Sequence, residues 1–345
     1  MEKFVLLSDK DKRAYFEVVA ADLNVMPQLI EKDFWVCWIL KILFSLPQSG
    51  GHLTFKGGTS LSKCYDVIRR FSEDVDISIE RRFLSRGASI EPDKDLSNKE
   101  NKRRLERLQL ACKEKISSTL IPELRKSIAT ILTDKKNWEL ELDLKDALGQ
   151  TVLFAFPHAF TSSVEKYVKA AVKIEFGSRA DNWPIENMTV FPYVANVSGD
   201  VNIKGAPVRV LAAERTFWEK ATILHMINNY PKGKNVPPRM SRHYYDFFAM
   251  VDTPIYKKSL EKIVLLKDVS EHKALFFKAN WAHYEEAKSG GLKLLPREDQ
   301  ISQLKTDYRQ MQEMFFEDPP SFDNILQKLK TVEKYIKSKS IWEKN

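Results

Sequence analysis

Glycine and hydroxyl residues occur together early in the chain, in the stretch FKGGTSLSK. Gly57 and Gly58 have no Cβ atom, so the backbone N–H groups around them can approach a phosphate closely. Thr59 and Ser60 follow directly and can donate hydroxyl hydrogen bonds to the same oxygens. We expect a helix to begin at Ser60 and to add its N-terminal dipole. This order of residue types predicts a phosphate-binding turn.

Two carboxylates follow in SEDVDISI. Residues i and i+2 of a strand point to the same face, so Asp74 and Asp76 share one face while Val75, Ile77 and Ile79 point into the core. Two like charges this close repel each other unless a proton, a basic side chain or a metal ion lies between them. Mg²⁺ takes carboxylate oxygens in this geometry and keeps positions for phosphate oxygens and water. A phosphate site followed by this pair predicts phosphoryl or nucleotidyl transfer.

This combination resembles the signature of the nucleotidyltransferase superfamily, which shares its fold with DNA polymerase β. Within it, FKGGTSLSK and RFSEDVDIS are similar to the AbiEii/MenT group, the toxins of bacterial AbiE-type toxin–antitoxin systems. The resemblance implies an α+β fold, with a polymerase β-like mixed-sheet domain and a mostly helical C-terminal domain. It also implies that Lys56 contacts the nucleotide. The 15 residues between Gly58 and Asp74 exceed the usual spacing, and we expect them to lengthen the intervening helix.

A third carboxylate is expected on a later strand, and AVKIEFG at 171–177 is the best match. Alternation places Lys173 and Glu175 on one face of this strand. The resemblance implies that Glu175 completes the metal site and that Lys173 belongs to the nucleotide site. ELDLKD competes, because Glu141 and Asp143 also alternate, but charged residues follow it instead of an apolar residue and a turn.

A buried-edge lysine lies in the helix LAAERTFWEKATILHM. Phe217, Ala221 and Leu224 form an apolar row at helical spacing, and Lys220 lies beside that row. The family has a lysine in such a helix, so the resemblance implies that Lys220 binds the triphosphate and takes part in catalysis. An ammonium suits this role because it is a compact charge on a flexible stem.

The segment SRHYYDFFAM resembles the part of the family that closes its motif set, with Asp246 as the matching acid. The usual form has an aspartate directly after the arginine, whereas this chain has His243. Two roles for Asp246 therefore remain open. It either takes part in catalysis or orients Lys220 or Arg242.

The remaining sequence predicts the organisation around these residues. The 345 residues include 43% hydrophobic and 30% charged residues, which is typical of a globular protein with a sizeable core. Helical periodicity covers the first 47 residues, and a mixed α/β half continues to residue 205. Helical segments dominate afterwards. We therefore predict a nucleotidyltransferase domain at 1–205 and a helical domain at 206–345 that contributes Lys220 and Asp246.

Charge and targeting signals limit the partners and the compartment. The net charge of +8 favours an anionic partner, and the basic helix at 99–107 and the basic, proline-rich loop at 231–243 are two candidate contacts for RNA. No stretch is typical of a signal peptide or a transmembrane helix, so we expect no membrane partner. Three scattered cysteines without a CxxC pattern favour the reducing cytoplasm.

Together, these features predict a nucleotidyltransferase that uses one or two Mg²⁺ ions and an NTP. The resemblance implies an RNA acceptor such as a tRNA 3′ end, growth arrest as the outcome, and a cognate antitoxin that need not form a stable complex. Two other hypotheses remain open. One is a non-catalytic relative that binds nucleotide or RNA, and the other is a transferase with a protein or small-molecule acceptor.

Overall fold

The computed structural model describes residues 1–72, 74–85, 90–133, 138–160, 171–197 and 201–338. By contacts, the chain divides into two compact units. The first unit comprises Met1–Cys64, Phe71–Glu91 and Asn98–Leu211. The second comprises Tyr65–Arg70, Pro92–Ser97 and the described residues from Ala212 onward.

The first unit is built on one mixed sheet. Its strands are β1 Leu53–Lys56, β2 Asp74–Ile79, β3 Glu139–Leu142, β4 Thr151–Ala155, β5 Ala171–Gly177, β6 Ile185–Val190 and β7 Ala206–Leu211. The strand order is β3-β4-β5-β2-β1-β7-β6. The pairs β1–β7 and β2–β5 are parallel and the other neighbours are antiparallel. This mixed sheet with many helices confirms the predicted α+β class.

In its described residues, the first unit also contains seven α-helices, namely α1 Glu2–Val5, α2 Asp9–Leu23, α3 Pro27–Phe44, α4 Gly57–Lys63, α5 Arg81–Leu84, α6 Asn98–Lys115 and α7 Ile121–Ala129. Helix α3 packs against β5 and β7, and α7 packs against α3 and β3. The central helix α3 is buried almost all round, and its indole rings stack on β4 and the residues after it. The ring centroids of Trp38 and Phe154 are 5.6 Å apart, and those of Trp35 and Phe156 are 5.4 Å apart. This packing buries the apolar face of the sheet and leaves the charged side chains on the other face.

Two parts of the first unit differ from the sequence prediction. Helix α4 begins at Gly57 and not at Ser60, and it ends at Lys63, so the long spacing does not lengthen it. The additional residues instead include Tyr65–Arg70, which belong to the second unit. Strand β7 also lies beyond the boundary drawn at residue 205, and the first unit continues to Leu211 because β7 pairs with β1.

The second unit is helical apart from its short segments from the first half of the chain. Its helices are α8 Ala213–Asn228, α9 Ser241–Val251, α10 Pro254–Glu261, α11 Val264–Phe276, α12 Tyr284–Glu286, α13 Glu298–Arg309 and α14 Phe322–Ser338. Helix α8 packs against α9, α10 and α11, and the rings of Phe217 and Phe247 meet at 4.5 Å. In the described part of the chain, no helix is both long and apolar enough to cross a membrane.

Candidate active site

Three carboxylates lie on one face of the adjacent parallel strands β2 and β5. Their register pairs Asp74 with Lys173 and Asp76 with Glu175. Neighbouring strands are about 4.8 Å apart, so the carboxylates of Asp76 and Glu175 project from neighbouring positions. All three acids are half-buried, whereas the alternate residues of both strands are buried in the core. The pleat of two locally apolar strands thus produces the acidic cluster.

Lysines flank this cluster on the same face. Lys56 of β1 is the register partner of Asp76, and its Nζ lies 3.7 Å from Asp76 Oδ1. On β5, Lys173 donates to Glu175. Partial burial opposes the charge of Lys173, but the contact with Glu175 prevails and raises the pKa of the lysine. This face of β1, β2 and β5 therefore holds both the acids expected of a cation site and cations suited to phosphate oxygens.

Position 57 requires glycine, because its backbone lies close to the carboxylate of Asp76. Its φ is +80°, in the left-handed region that favours glycine. An ideal Cβ atom built on Gly57 would lie 2.0 Å from Asp76 Oδ2 and 2.8 Å from Asp76 Cγ. The glycine therefore leaves room for this carboxylate, and the two halves of the motif are in direct contact.

We predict that Gly57→Ala lowers transfer activity about 100-fold, because Asp76 must move to make room for the new methyl group. The left-handed backbone adds a cost of roughly 1–3 kcal/mol to the free energy of unfolding. Transfer assays and urea denaturation measure the two effects. Gly51→Ala is the matched control, since its Cβ would meet nothing within 4 Å. Full activity in Gly57→Ala, or an equal loss in Gly51→Ala, would contradict the prediction.

Thr59 and Ser60, for which phosphate contacts are predicted, make hydrogen bonds within the protein. Both side chains are buried. Thr59 Oγ1 lies 2.5 Å from the carbonyl oxygen of Asp74 and 2.8 Å from Ser72 Oγ. Ser60 Oγ donates to the carbonyl oxygen of Gly57 at 2.8 Å. These hydroxyls therefore hold the start of β2 and the first turn of α4, which leaves the glycine backbone and Lys56 for a phosphate.

The donor set of this face fits a hard divalent cation by its chemistry. Asp74, Asp76 and Glu175 offer only carboxylate oxygens, which Mg²⁺ prefers. Among the described residues, no three His, Cys, Asp or Glu side chains are already gathered as they would be around an ion. The competing Glu141 lies on β3, which is separated from β2 by β4 and β5. This distance disfavours Glu141 as the third ligand.

A second polar cluster lies inside the second unit. Arg70 binds Asp246 through two hydrogen bonds, from Nε to Oδ1 at 2.8 Å and from Nη2 to Oδ2 at 2.9 Å. Lys220 Nζ donates to Asp246 Oδ2 at 2.8 Å and lies 3.1 Å from His243 Nδ1. All four side chains are buried. Asp246 therefore holds both Lys220 and Arg70, which favours the orienting role over direct catalysis.

The charges of this cluster determine its protonation. Burial by itself would raise the pKa of Asp246, but Arg70 and Lys220 prevail and hold it well below its usual range. Burial lowers the pKa of Lys220, against the opposing effect of Asp246. Burial, together with the charges of Lys220 and Arg242, lowers the pKa of His243 well below 6.5. His243 is therefore neutral, and its Nδ1 accepts a hydrogen bond from Lys220.

His243 should make stability depend on pH. Its pKa is lower in the folded protein than in the unfolded chain, so the unfolded chain binds more protons as the pH falls below about 6.5. Stability is therefore lost towards acid, by at most about 1.4 kcal/mol per pH unit. His243→Asn keeps an acceptor near the Nδ1 position but does not titrate. We expect its melting temperature to fall less than that of the wild type between pH 7.5 and 5. Equal slopes for the wild type and His243→Asn would contradict the prediction.

Arg70 is the main site residue that sequence reasoning missed. It is the first residue of RFSEDVDIS, a stretch that resembles the family, but no periodicity shows which way its side chain points. The resemblance and the unusual length of the segment before Asp74 are the signals that could have identified it. Arg70 is almost completely buried in the second unit and also pairs with Phe315 in an isolated β-bridge.

The chain is similar to one described protein family over most of its length. The family model "Nucleotidyl transferase AbiEii toxin, Type IV TA system" matches residues 38–328. No curated protein matches the sequence. Among solved structures, the chain is similar to MenT4, a nucleotidyltransferase toxin from Mycobacterium tuberculosis H37Rv, with 15% sequence identity and a TM-score of 0.36. That alignment covers 88% of this chain and 99% of MenT4.

Proposed function

Because the chain belongs to the AbiEii family of nucleotidyltransferase toxins of type IV toxin–antitoxin systems, we propose that it transfers NMP from an NTP to the 3′ hydroxyl of an RNA such as tRNA. The observation that best supports this proposal is the β2–β5 register. It brings Asp74, Asp76 and Glu175 onto one face, next to Gly57. The chemistry of a cation with a phosphate requires such a combination of acids and open backbone.

In the proposed reaction, Asp74, Asp76 and Glu175 would hold one or two Mg²⁺ ions. The bound metal supplies positive charge to the phosphates and lowers the pKa of the attacking hydroxyl. The backbone of Gly57 and Gly58 and the ammonium of Lys56 receive the terminal phosphates, and Lys173 keeps Glu175 in place. The acceptor oxygen attacks the α-phosphorus, the bond to the β-phosphate oxygen breaks, and pyrophosphate leaves. One of the acids accepts the proton of the acceptor hydroxyl.

We propose that Lys220 adds charge to the triphosphate and that Asp246 orients it. The support for Lys220 is the match of its helix to the family, together with its hydrogen bond to Asp246. A lysine that is held on one side by a carboxylate and on the other by a neutral imidazole has a restricted set of rotamers. Its remaining N–H group can then be directed at a substrate at a smaller entropic cost.

The family also supports a biological setting. We propose that the protein acts in the cytoplasm, where NTPs and tRNA are available, and that expression of the protein alone arrests growth. An antitoxin encoded with it would counteract this effect without a stable complex. The three cysteines are free thiols, two of them buried, and suit a reducing compartment.

The acceptor is identified by incubating the protein with each labelled NTP, Mg²⁺ and total RNA. We expect label in the tRNA fraction for at least one NTP and none without a divalent metal. Ligation of an adapter to the RNA then tests whether the 3′ end is blocked or extended. Label on protein or on a small molecule instead of RNA would refute the RNA acceptor, and transfer in the presence of excess chelator would refute the metal requirement.

A further inference from the structure

The loop between α8 and α9, residues 229–240, is fastened to α13. Gln303 bonds both backbone groups of Val236, since its Oε1 accepts from Val236 N at 3.0 Å and its Nε2 donates to Val236 O at 2.6 Å. Asp307 accepts from the backbone N of Arg239 at 2.6 Å and from that of Ser241 at 2.9 Å. The side chain of Val236 is buried. The loop thus has a defined conformation, which side chains of a neighbouring helix maintain.

The same loop presents cations to solvent. Lys232, Lys234 and Arg239 are exposed, and within the described part of the chain none of the three forms an ion pair. The sequence from Lys220 to Tyr245 contains no Asp or Glu. Two acids of α13 are already engaged, because Asp299 pairs with Arg297 and Asp307 accepts from the loop backbone. The loop therefore presents three solvated cations in a defined arrangement, which an anionic partner can contact.

The position of the loop in the chain relates it to the buried cluster of the second unit. Arg239 lies four residues before His243, and the ring of His243 meets Lys220 Nζ at 3.1 Å. Arg242 lies between them and is half-buried. The positive charge therefore continues from the exposed loop to the lysine that we propose to contact the triphosphate.

We propose that the α8–α9 loop binds the phosphate backbone of the RNA acceptor through Lys232, Lys234 and Arg239. This inference rests on the proposed function, because it names the surface that receives the acceptor. An extended polyanion fits better than a single phosphate, since the three exposed cations are separated along the loop, at positions 232, 234 and 239. Pro231, Pro237 and Pro238 restrict the loop before binding, which lowers the entropic cost of the contact.

The test compares two triple variants of the full chain. Lys232→Ala/Lys234→Ala/Arg239→Asn removes the loop cations, and Asn is chosen because Arg239 has a φ of +64°, which asparagine tolerates. Lys257→Ala/Lys330→Ala/Lys334→Ala removes the same charge from exposed positions on α10 and α14, to which no binding role is assigned. The dissociation constant for fluorescent tRNA is measured by anisotropy over a range of KCl concentrations. Melting temperatures confirm that both variants fold.

We expect the loop variant to bind tRNA roughly 10- to 100-fold more weakly at low salt, with a salt slope reduced by about 2, because about three phosphate contacts are lost. The α10/α14 variant should bind like the wild type, and NTP binding should be unchanged in both. Equal weakening in both variants would show an effect of net charge alone and overturn the inference, as would unchanged tRNA binding in the loop variant.

The outcome is independent of the transfer assay. A wild-type protein that binds tRNA through the loop but transfers no nucleotide would refute the proposed reaction and leave the docking surface intact. Transfer to RNA with unaltered tRNA binding in the loop variant would refute only the docking surface.

Discussion

Replacing Asp76 by Asn is expected to lower the rate of nucleotide transfer at least about 10³-fold while leaving the fold intact. Asp76 lies at the centre of the acidic row, in register with Lys56 on one side and Glu175 on the other, and in contact with Gly57. The amide removes the negative charge on which both the cation and the proton acceptor depend. Incorporation of labelled NMP into RNA measures the effect.

The free energy of unfolding of Asp76→Asn should rise slightly or stay unchanged. The Asp76 side chain is 27% exposed, and its 3.7 Å pair with Lys56 contributes little because water screens it. Removing the charge also relieves repulsion from Asp74 and Glu175. Glu141→Gln is the matched control, because Glu141 lies on the same sheet but on the edge strand β3. If Asp76→Asn retains a tenth or more of the wild-type transfer rate, the site is elsewhere. A large loss of transfer rate in Glu141→Gln would lead to the same conclusion.

Replacing Asp246 by Leu is expected to lower the free energy of unfolding by about 3–5 kcal/mol, because Arg70 and Lys220 would remain buried without their carboxylate. Asp246 is fully buried and accepts three hydrogen bonds from these two cations. Urea denaturation followed by circular dichroism gives the loss. Asp323→Asn, which breaks the exposed pair with Lys305, should cost less than about 1 kcal/mol.

The double variant Arg70→Met/Asp246→Leu separates stability from function. It replaces the bidentate pair by apolar side chains, and such replacements of buried ion pairs are often close to neutral. We therefore expect it to recover much of the stability lost in Asp246→Leu. Transfer should stay low, because Lys220 still lacks the carboxylate that orients it. Recovery of both stability and transfer would mean that Asp246 has only a structural role.

The family match confirms the resemblance drawn from the motif, and the mixed sheet confirms the fold class. Strands β6 and β7 were missed for local reasons. The segment IENMTV of β6 is mostly exposed at the sheet edge and shows no apolar alternation. Strand β7 has Pro207 near its start, and proline argues against a strand because it lacks a donor for the ladder. The domain boundary at 205 followed from this omission.

The sequence by itself determined which side chains share a face, because alternation along a strand is a local property of the backbone. That is why alternation alone places Asp74 with Asp76 on one strand and Lys173 with Glu175 on another. Tertiary structure alone decided which strands pair, and it did so through contacts between residues about 100 positions apart. The register of β2 with β5 pairs Asp74 with Lys173 and Asp76 with Glu175. It thereby brings two motifs that are distant in the sequence onto one face of the sheet.

Tertiary structure also decided which polar groups are already used. The hydroxyls of Thr59 and Ser60 have the right chemistry for phosphate, and tertiary structure buries both and gives them hydrogen-bond partners within the protein. Asp246 was recognisable as an acid of the motif, whereas its partner Arg70 was not, because the two are 176 residues apart. Local patterns carry no information about such a pairing, which depends on the packing of the whole second unit.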